Sequence, residues 1–413
     1  MTSSSERLYV ASFLNDSLGL PEGIVDPASI PSELVSHISE AVRGALESAS
    51  ETPVLEEAVA MYLSDLETEQ FEREGYFVRK ARWPRGAPFA ACLTHDVDNI
   101  KRPLSHIIRR ASRFSFSDFV LALLGIRSLY NNIDLVAGLE ARHGFRSSFY
   151  LLSKNYDLKQ LVGTVGRLRG SGWEVGLHGD FGTHESKEAM TDAVTRLTEA
   201  FGGKPLGLRE HFLKFDFAKT WEIAQSAGFV YDATVGNRDR LGFRLGLCTP
   251  FHPPDSGWRS MELVELPLVL MDTTLWGYLH NSEADGERDF EGLVDQVGAV
   301  NGLMTLLWHQ ESVRMKGGRI YPRLLEKLAQ RGCFVGTGEQ VARWWIERGH
   351  LLSIDHDSRV ASMRSAPEGM VLIFKTGEGA TLDVEGGVLS VGKGSQRVMA
   401  SGGPLKVKVN PTK

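Results

Sequence analysis

The chain has 413 residues, 42% of them hydrophobic and 24% charged, with a net charge of −6; that length suits two or three domains of roughly 150 residues, or one longer α/β barrel with attachments. The mild acidity argues against a protein that coats nucleic acid, and the dispersed 43 Gly and 16 Pro exclude collagen and wholesale disorder. The longest apolar stretch, residues 119–126, is too short for a membrane span, the start has no long apolar signal core, and Cys92, Cys248 and Cys333 stand too far apart for a metal or redox motif, so a cytoplasmic chain is expected.

Residues 1–87 read as a helical segment. Leu34, Ile38 and Val42 recur at helical spacing, as do Leu55, Val59, Tyr62 and Leu66. Two amphipathic helices packed on a larger domain are expected there, without chemistry of their own. The basic connector from Arg79 to Gly86 reads as a boundary.

From Pro88 the rhythm changes. Strands are expected at 89–94, 147–152, 173–177, 207–211, 229–234, 263–270, 303–308 and 333–336, with helical patterns at 158–168, 187–201, 217–227, 290–300 and 322–331. Gly172, Gly228 and Gly332 each close a helix before a strand. This alternation over 88–347 predicts an α/β fold with a mostly parallel sheet, and seven or eight such units suffice to close a barrel. The rest, 348–413, is Gly-rich. Short strands are expected at 371–374, 381–384, 388–391 and 405–409, with turns at the Gly pairs 386–387 and 402–403. A small β-rich domain with a packing role follows.

Polar residues collect at the expected strand ends, which form one mouth in a barrel. In Thr94-His95-Asp96-Val97-Asp98, residues two apart share a face of an extended chain, so Asp96 and Asp98 point the same way. Two carboxylates that close repel unless a cation intervenes, which suits one metal ligand and one general base. His178, in Gly176-Leu177-His178-Gly179-Asp180-Phe181-Gly182-Thr183-His184, is the imidazole best placed to join them, and His184 reaches the same ion if the loop folds back. Arg209 and His211 share a face, and an inward Arg209 can orient the base. His309 ends an apolar strand, placed to protonate a leaving group.

At these residues the chain resembles the polysaccharide deacetylase family, the NodB-homology carbohydrate esterases. The resemblance spans about 88–345. Thr94 to Asp98 is similar to a variant of the family's Thr-Phe-Asp-Asp-Gly motif, which implies Asp96 as base and Asp98 as metal ligand. His178 matches the start of the His-Ser/Thr-x-x-His motif, but Gly182 stands where the second His belongs. His184 or His211 is therefore expected to complete the metal site. Arg209-Glu210-His211-Phe212 resembles Arg-x-Pro-Tyr, implying that Arg209 holds the base and that the Phe212 N–H supports an oxyanion. Leu306-Leu307-Trp308-His309 matches Leu-x-x-His, which makes His309 the general acid, with Asp232 as the residue that orients it.

The family fold is a distorted (β/α)7-8 barrel. The implied activity is metal-dependent hydrolysis of an N-acetyl group on a sugar, glycan or glycan precursor, with zinc the first expectation and cobalt, nickel or iron also suited to Asp/His ligands. Hydrolysis of a non-sugar linear or cyclic amide, and a catalytically silent glycan-binding or assembly role, are the alternatives. Neither nucleic acid nor a membrane span is expected.

Overall fold

The computed structural model describes residues 2–44, 50–349, 351–392 and 395–411. Three helices open it: α1 (Ser4–Leu18), α2 (Ser32–Val42) and α3 (Val54–Glu74). The expected apolar rows of α2 and α3 are buried. Helix α1 adds a third member, started by a capping box between Ser3 and Glu6. Helix α3 stops at Gly75, whose left-handed backbone closes it, and strand β1 (Tyr76–Lys80) follows.

The central sheet contains β2 (Ala90–Val97), β3 (Ser148–Leu152), β4 (Glu174–Gly179), β5 (Gly207–Glu210), β6 (Tyr231–Asp232), β7 (Val264–Glu265), β8 (Leu268–Met271), β9 (Leu303–Leu307) and β10 (Phe334–Gly336). The order is β7-β6-β5-β4-β3-β2-β9-β8, with β10 also paired to β2, and the pairings are parallel. Helices α4 (Leu104–Arg109), α5 (Phe116–Leu123), α6 (Ile133–Ala141), α7 (Val162–Gly170), α8 (Lys187–Phe201), α9 (Thr220–Ser226), α10 (Glu283–Ala299), α11 (Tyr321–Ala329) and α12 (Gly338–Arg348) lie in the connections. This is the expected distorted (β/α) barrel.

One expected strand is two. Residues 263–270 split at Leu266 and Pro267 into β7, which pairs with β6, and β8, which pairs with β9. Pro267 has no N–H to give a ladder. Its neighbours still hold the β6 side, because the Leu266 N–H donates to the Asp232 carbonyl (2.8 Å) and the Leu268 N–H to that of Val235 (2.9 Å). The two edges of the sheet are thus joined by one piece of chain.

Seven further strands follow: β11 (Ser353–Asp355), β12 (Val360–Ala366), β13 (Val371–Thr376), β14 (Thr381–Glu385), β15 (Gly387–Gly392), β16 (Ser395–Ala400) and β17 (Gly403–Asn410). They make two antiparallel sheets, β1-β13-β16-β15 and β11-β12-β17-β14. Leu372, Phe374 and Val398 of one pack in a common core with Met363, Leu405 and Val407 of the other. Burial alternates along β17, the period of a sheet with one covered face.

The reading of 79–86 as a boundary is corrected here. Arg79 and Lys80 lie in β1, which pairs with β13, so the N-terminal segment contributes a strand to the C-terminal sheets. Past it, the Trp83 indole donates to the Asn301 carbonyl (2.8 Å), and Trp83 shares its core cluster with Trp345, Leu303 and Phe374. The turn signals of Pro84 and Gly86 are realised in a single turn over Pro84–Gly86, while Trp83 beside it is buried.

Candidate active site at the barrel mouth

Parallel strands deliver their C-terminal residues to one rim. Asp96 is the last residue but one of β2 and Asp98 follows the strand; His178 lies in β4; His211 sits in the single turn after β5; His309 lies two residues beyond β9. His178 Nε2 is 3.3 Å from Asp98 Oδ1 and 3.6 Å from Asp96 Oδ2. His211 Nδ1 lies 2.9 Å from His178 Nε2 and 3.5 Å from Asp98 Oδ1. One ligand atom from each of Asp98, His178 and His211 falls within 4.8 Å of the others.

Local backbone makes this convergence possible. Gly179 follows His178 where a Cβ would collide with the Glu210 carboxylate. Phe212 and Leu213 both hold positive φ, 58° and 51°, a conformation non-glycine residues adopt at a cost and that clusters at functional sites. This turn swings the His211 ring over the rim, edge-on to His178 with centroids 4.8 Å apart.

Electrostatics divide the imidazoles. Burial pushes His178 down, but Asp96 and Asp98 outweigh it and raise its pKa above the ordinary value. His211 is lowered by burial and by His178. Burial opposes ionisation of Asp98, yet the adjoining His178 and the charges of His309 and His211 hold it well below the usual carboxylate range. His309 is raised well above its ordinary value, because Asp272 overcomes the effect of burial.

Asp272 is the residue that sequence reasoning missed. It follows β8, is fully buried, and its Oδ1 lies 2.6 Å from His309 Nδ1 while its Oδ2 accepts the His309 N–H at 3.0 Å. Nε2 of His309 is left facing the site, 3.9 Å from Asp98 Oδ2. The same strand-end rule that found Asp96 would have found Asp272 had the split at Pro267 been legible.

Three expectations are corrected. Asp232 does not orient His309; its Oδ1 accepts the Thr234 backbone N–H (2.7 Å) and hydroxyl, and burial raises its pKa to about 6. Arg209 does not pair with Asp96. It donates to Thr94 Oγ1 (3.0 Å) and lies 5.2 Å from the Tyr150 ring centroid. Thr94 is two residues before Asp96 on the same face, so the guanidinium sits one layer below the mouth. His184 does not join the cluster; its nearest acid is Glu185, 3.9 Å away, and its carbonyl accepts from the Thr220 hydroxyl. With Gly182 left-handed, the loop runs on toward α8 rather than folding back. His95 is buried away from the site, between the Trp308 carbonyl (2.6 Å) and Glu140 (2.7 Å).

The donor set fits a divalent metal. His178 Nδ1 lies 2.8 Å from the Arg209 carbonyl, an acceptor that fixes the proton there and leaves Nε2 with a free lone pair. Asp98 Oδ1 is buried with no hydrogen-bond partner among the described residues, and so is Asp96 Oδ1. A buried carboxylate oxygen beside two imidazole nitrogens is the donor set that zinc and its neighbours take.

No protein-family profile matches the chain, and no curated protein does. Solved structures to which it is similar include a candidate polysaccharide deacetylase from Mycobacterium smegmatis, 18% identical over 66% of this chain and 94% of that one, with a TM-score of 0.48. Another from Pseudomonas aeruginosa PAO1 is 15% identical over 64% and 93%, with a TM-score of 0.47. Peptidoglycan deacetylase PdaC from Bacillus subtilis is 13% identical over 64% and 95%, with a TM-score of 0.35.

Proposed function

We propose that this protein is a metal-assisted hydrolase that removes an N-acetyl group from a sugar or glycan precursor. The observation that carries the reading is one mouth holding a three-residue metal-ligand cluster, a free buried carboxylate and a carboxylate-held imidazole. Asp98, His178 and His211 would hold the metal, zinc in the first instance. A divalent ion bound there would supply Lewis-acid chemistry for the acetyl carbonyl and for the attacking water. Asp96 accepts the water proton on its unpartnered Oδ1. His309, kept protonated by Asp272, gives a proton from Nε2 to the departing amine. Acetate and a free amino sugar leave.

The test is acetate release from a panel of N-acetylated sugars by zinc-loaded protein, beside metal content per chain. Asp96→Asn should lose acetate release by roughly 10²-fold or more while retaining metal. His211→Ala should lose metal, and His184→Ala should retain it. Wild-type protein that binds zinc but releases no acetate from any member overturns the reading; retained metal in His211→Ala overturns the ligand assignment.

A further inference from the structure

Between β2 and β3 the barrel carries a lobe at its mouth made of α4, α5 and the turns around them. The lobe is pinned beside His309: the Gln310 amide donates to the carbonyls of Asn99 (2.9 Å) and Tyr130 (2.6 Å), and the Lys316 N–H donates to the Arg113 carbonyl (2.8 Å). Its own core is small, built on Phe114, Leu129 and Tyr130. Ile107 and Ala122 pack against it, and several other apolar side chains face outward. Phe116 is 84% exposed, Ile126 70%, Leu124 65%, Ile108 55% and Leu104 54%. Soluble surfaces rarely gather such residues in one short stretch without a use for them.

Charge in the lobe is one-sided. From Lys101 to Ile133 there are six Lys or Arg and one acid, Asp118, in a chain whose net charge is −6. Asp118 is buried and paired to Arg127 and Arg314, which leaves Arg102, Arg109, Arg110 and Arg113 outside. These four gather closely enough that, after burial, their charges depress His106. Exposed Phe, Leu and Ile beside an arginine cluster is the composition of a peripheral membrane-docking surface: the rings and branched chains enter the headgroup boundary and the guanidinium groups meet anionic lipid. No helix among the described residues is long and apolar enough to cross a membrane, so the contact is with one face.

We infer that this lobe docks the barrel mouth onto an anionic bilayer surface. Taken with the proposed function, on which this clause rests, the substrate class is an N-acetylated sugar carried on a membrane lipid.

The full-length protein is sedimented with vesicles of phosphatidylcholine alone, or with about one third phosphatidylglycerol, at low and high salt. Wild type should pellet with the anionic vesicles, and salt should weaken the binding. A Phe116→Ser/Leu124→Ser/Ile126→Ser variant should lose partitioning by at least about tenfold, and Arg109→Gln/Arg110→Gln/Arg113→Gln should lose the preference for anionic lipid. These positions are exposed, so circular dichroism should be unchanged. Wild type that stays in solution with anionic vesicles overturns the inference, as do variants that pellet like wild type. A patch that instead holds a second copy, seen as a fall in oligomeric mass in the variants without vesicle binding, overturns it too. Acetate release from a soluble sugar reads Asp96 and not the lobe, so failure of docking and failure of the hydrolase reading are separate results.

Discussion

Asp272 sets what His309 can do. An imidazole this buried would ordinarily shed its proton, and the carboxylate at Nδ1 reverses that. As the proposed general acid His309 must be protonated to act, so the rate should be lost as pH rises through the elevated His309 value. Asp272→Asn removes the raising charge; the basic limb of the kcat/KM profile should move to lower pH, and the rate should fall by roughly 10²-fold or more. An unmoved limb would assign the titration to another group. Asp96, Asp98, His178 and His309 were legible because each ends an apolar run that reads as a strand. The choice of His211 over His184 was not, since it rests on two left-handed residues, Phe212 and Leu213, that no local rule places there.

At the scale of elements, Glu140 of α6 ties four pieces together. Its carboxylate accepts from His95 of β2 (2.7 Å), Ser147 just before β3 (2.6 Å), the Trp173 indole (3.0 Å) and the Tyr321 hydroxyl of α11 (2.6 Å). All five are buried. Glu140→Ala leaves those donors without their acceptor and should cost about 3–5 kcal/mol of stability by chemical denaturation; a loss below about 1 kcal/mol would mean the donors find other partners. His95 directly precedes the candidate base Asp96 yet serves this hub. Its alternation with Asp96 along the strand gave the sequence reading its orientation. Helices α4 and α5 were not legible as helices, because they are short and many of their apolar residues are exposed rather than set on one buried face.

Across the whole molecule, the N-terminal helices, barrel and β-sheets meet at Arg348. It is fully buried and donates to the carbonyls of Asp16, Ser17 and Ala81, while β1 crosses from one end of the chain to pair with the other. Unfolding should therefore be one cooperative event, with tryptophan fluorescence and far-ultraviolet circular dichroism losing signal together. Arg348→Ala should lower the free energy of unfolding by about 1–3 kcal/mol without splitting the transition. Two separated transitions in wild type would make the C-terminal sheets an independent unit. The α/β rhythm and the β-rich tail were legible from local patterning, and the interlock was not, since it depends on a pairing 292 to 300 residues apart in sequence.

The split strand at Pro267 carries a further consequence for the rim. A hydrogen-bonded ladder can slip by two residues and still pair, but a covalent link cannot. Because β7 and β8 are successive pieces of one segment, the circumference of the mouth is measured in peptide bonds. Asp272 is spaced from Glu265 by a fixed count of residues, so the side of the rim that carries His309 is kept in step with the edge strand it adjoins.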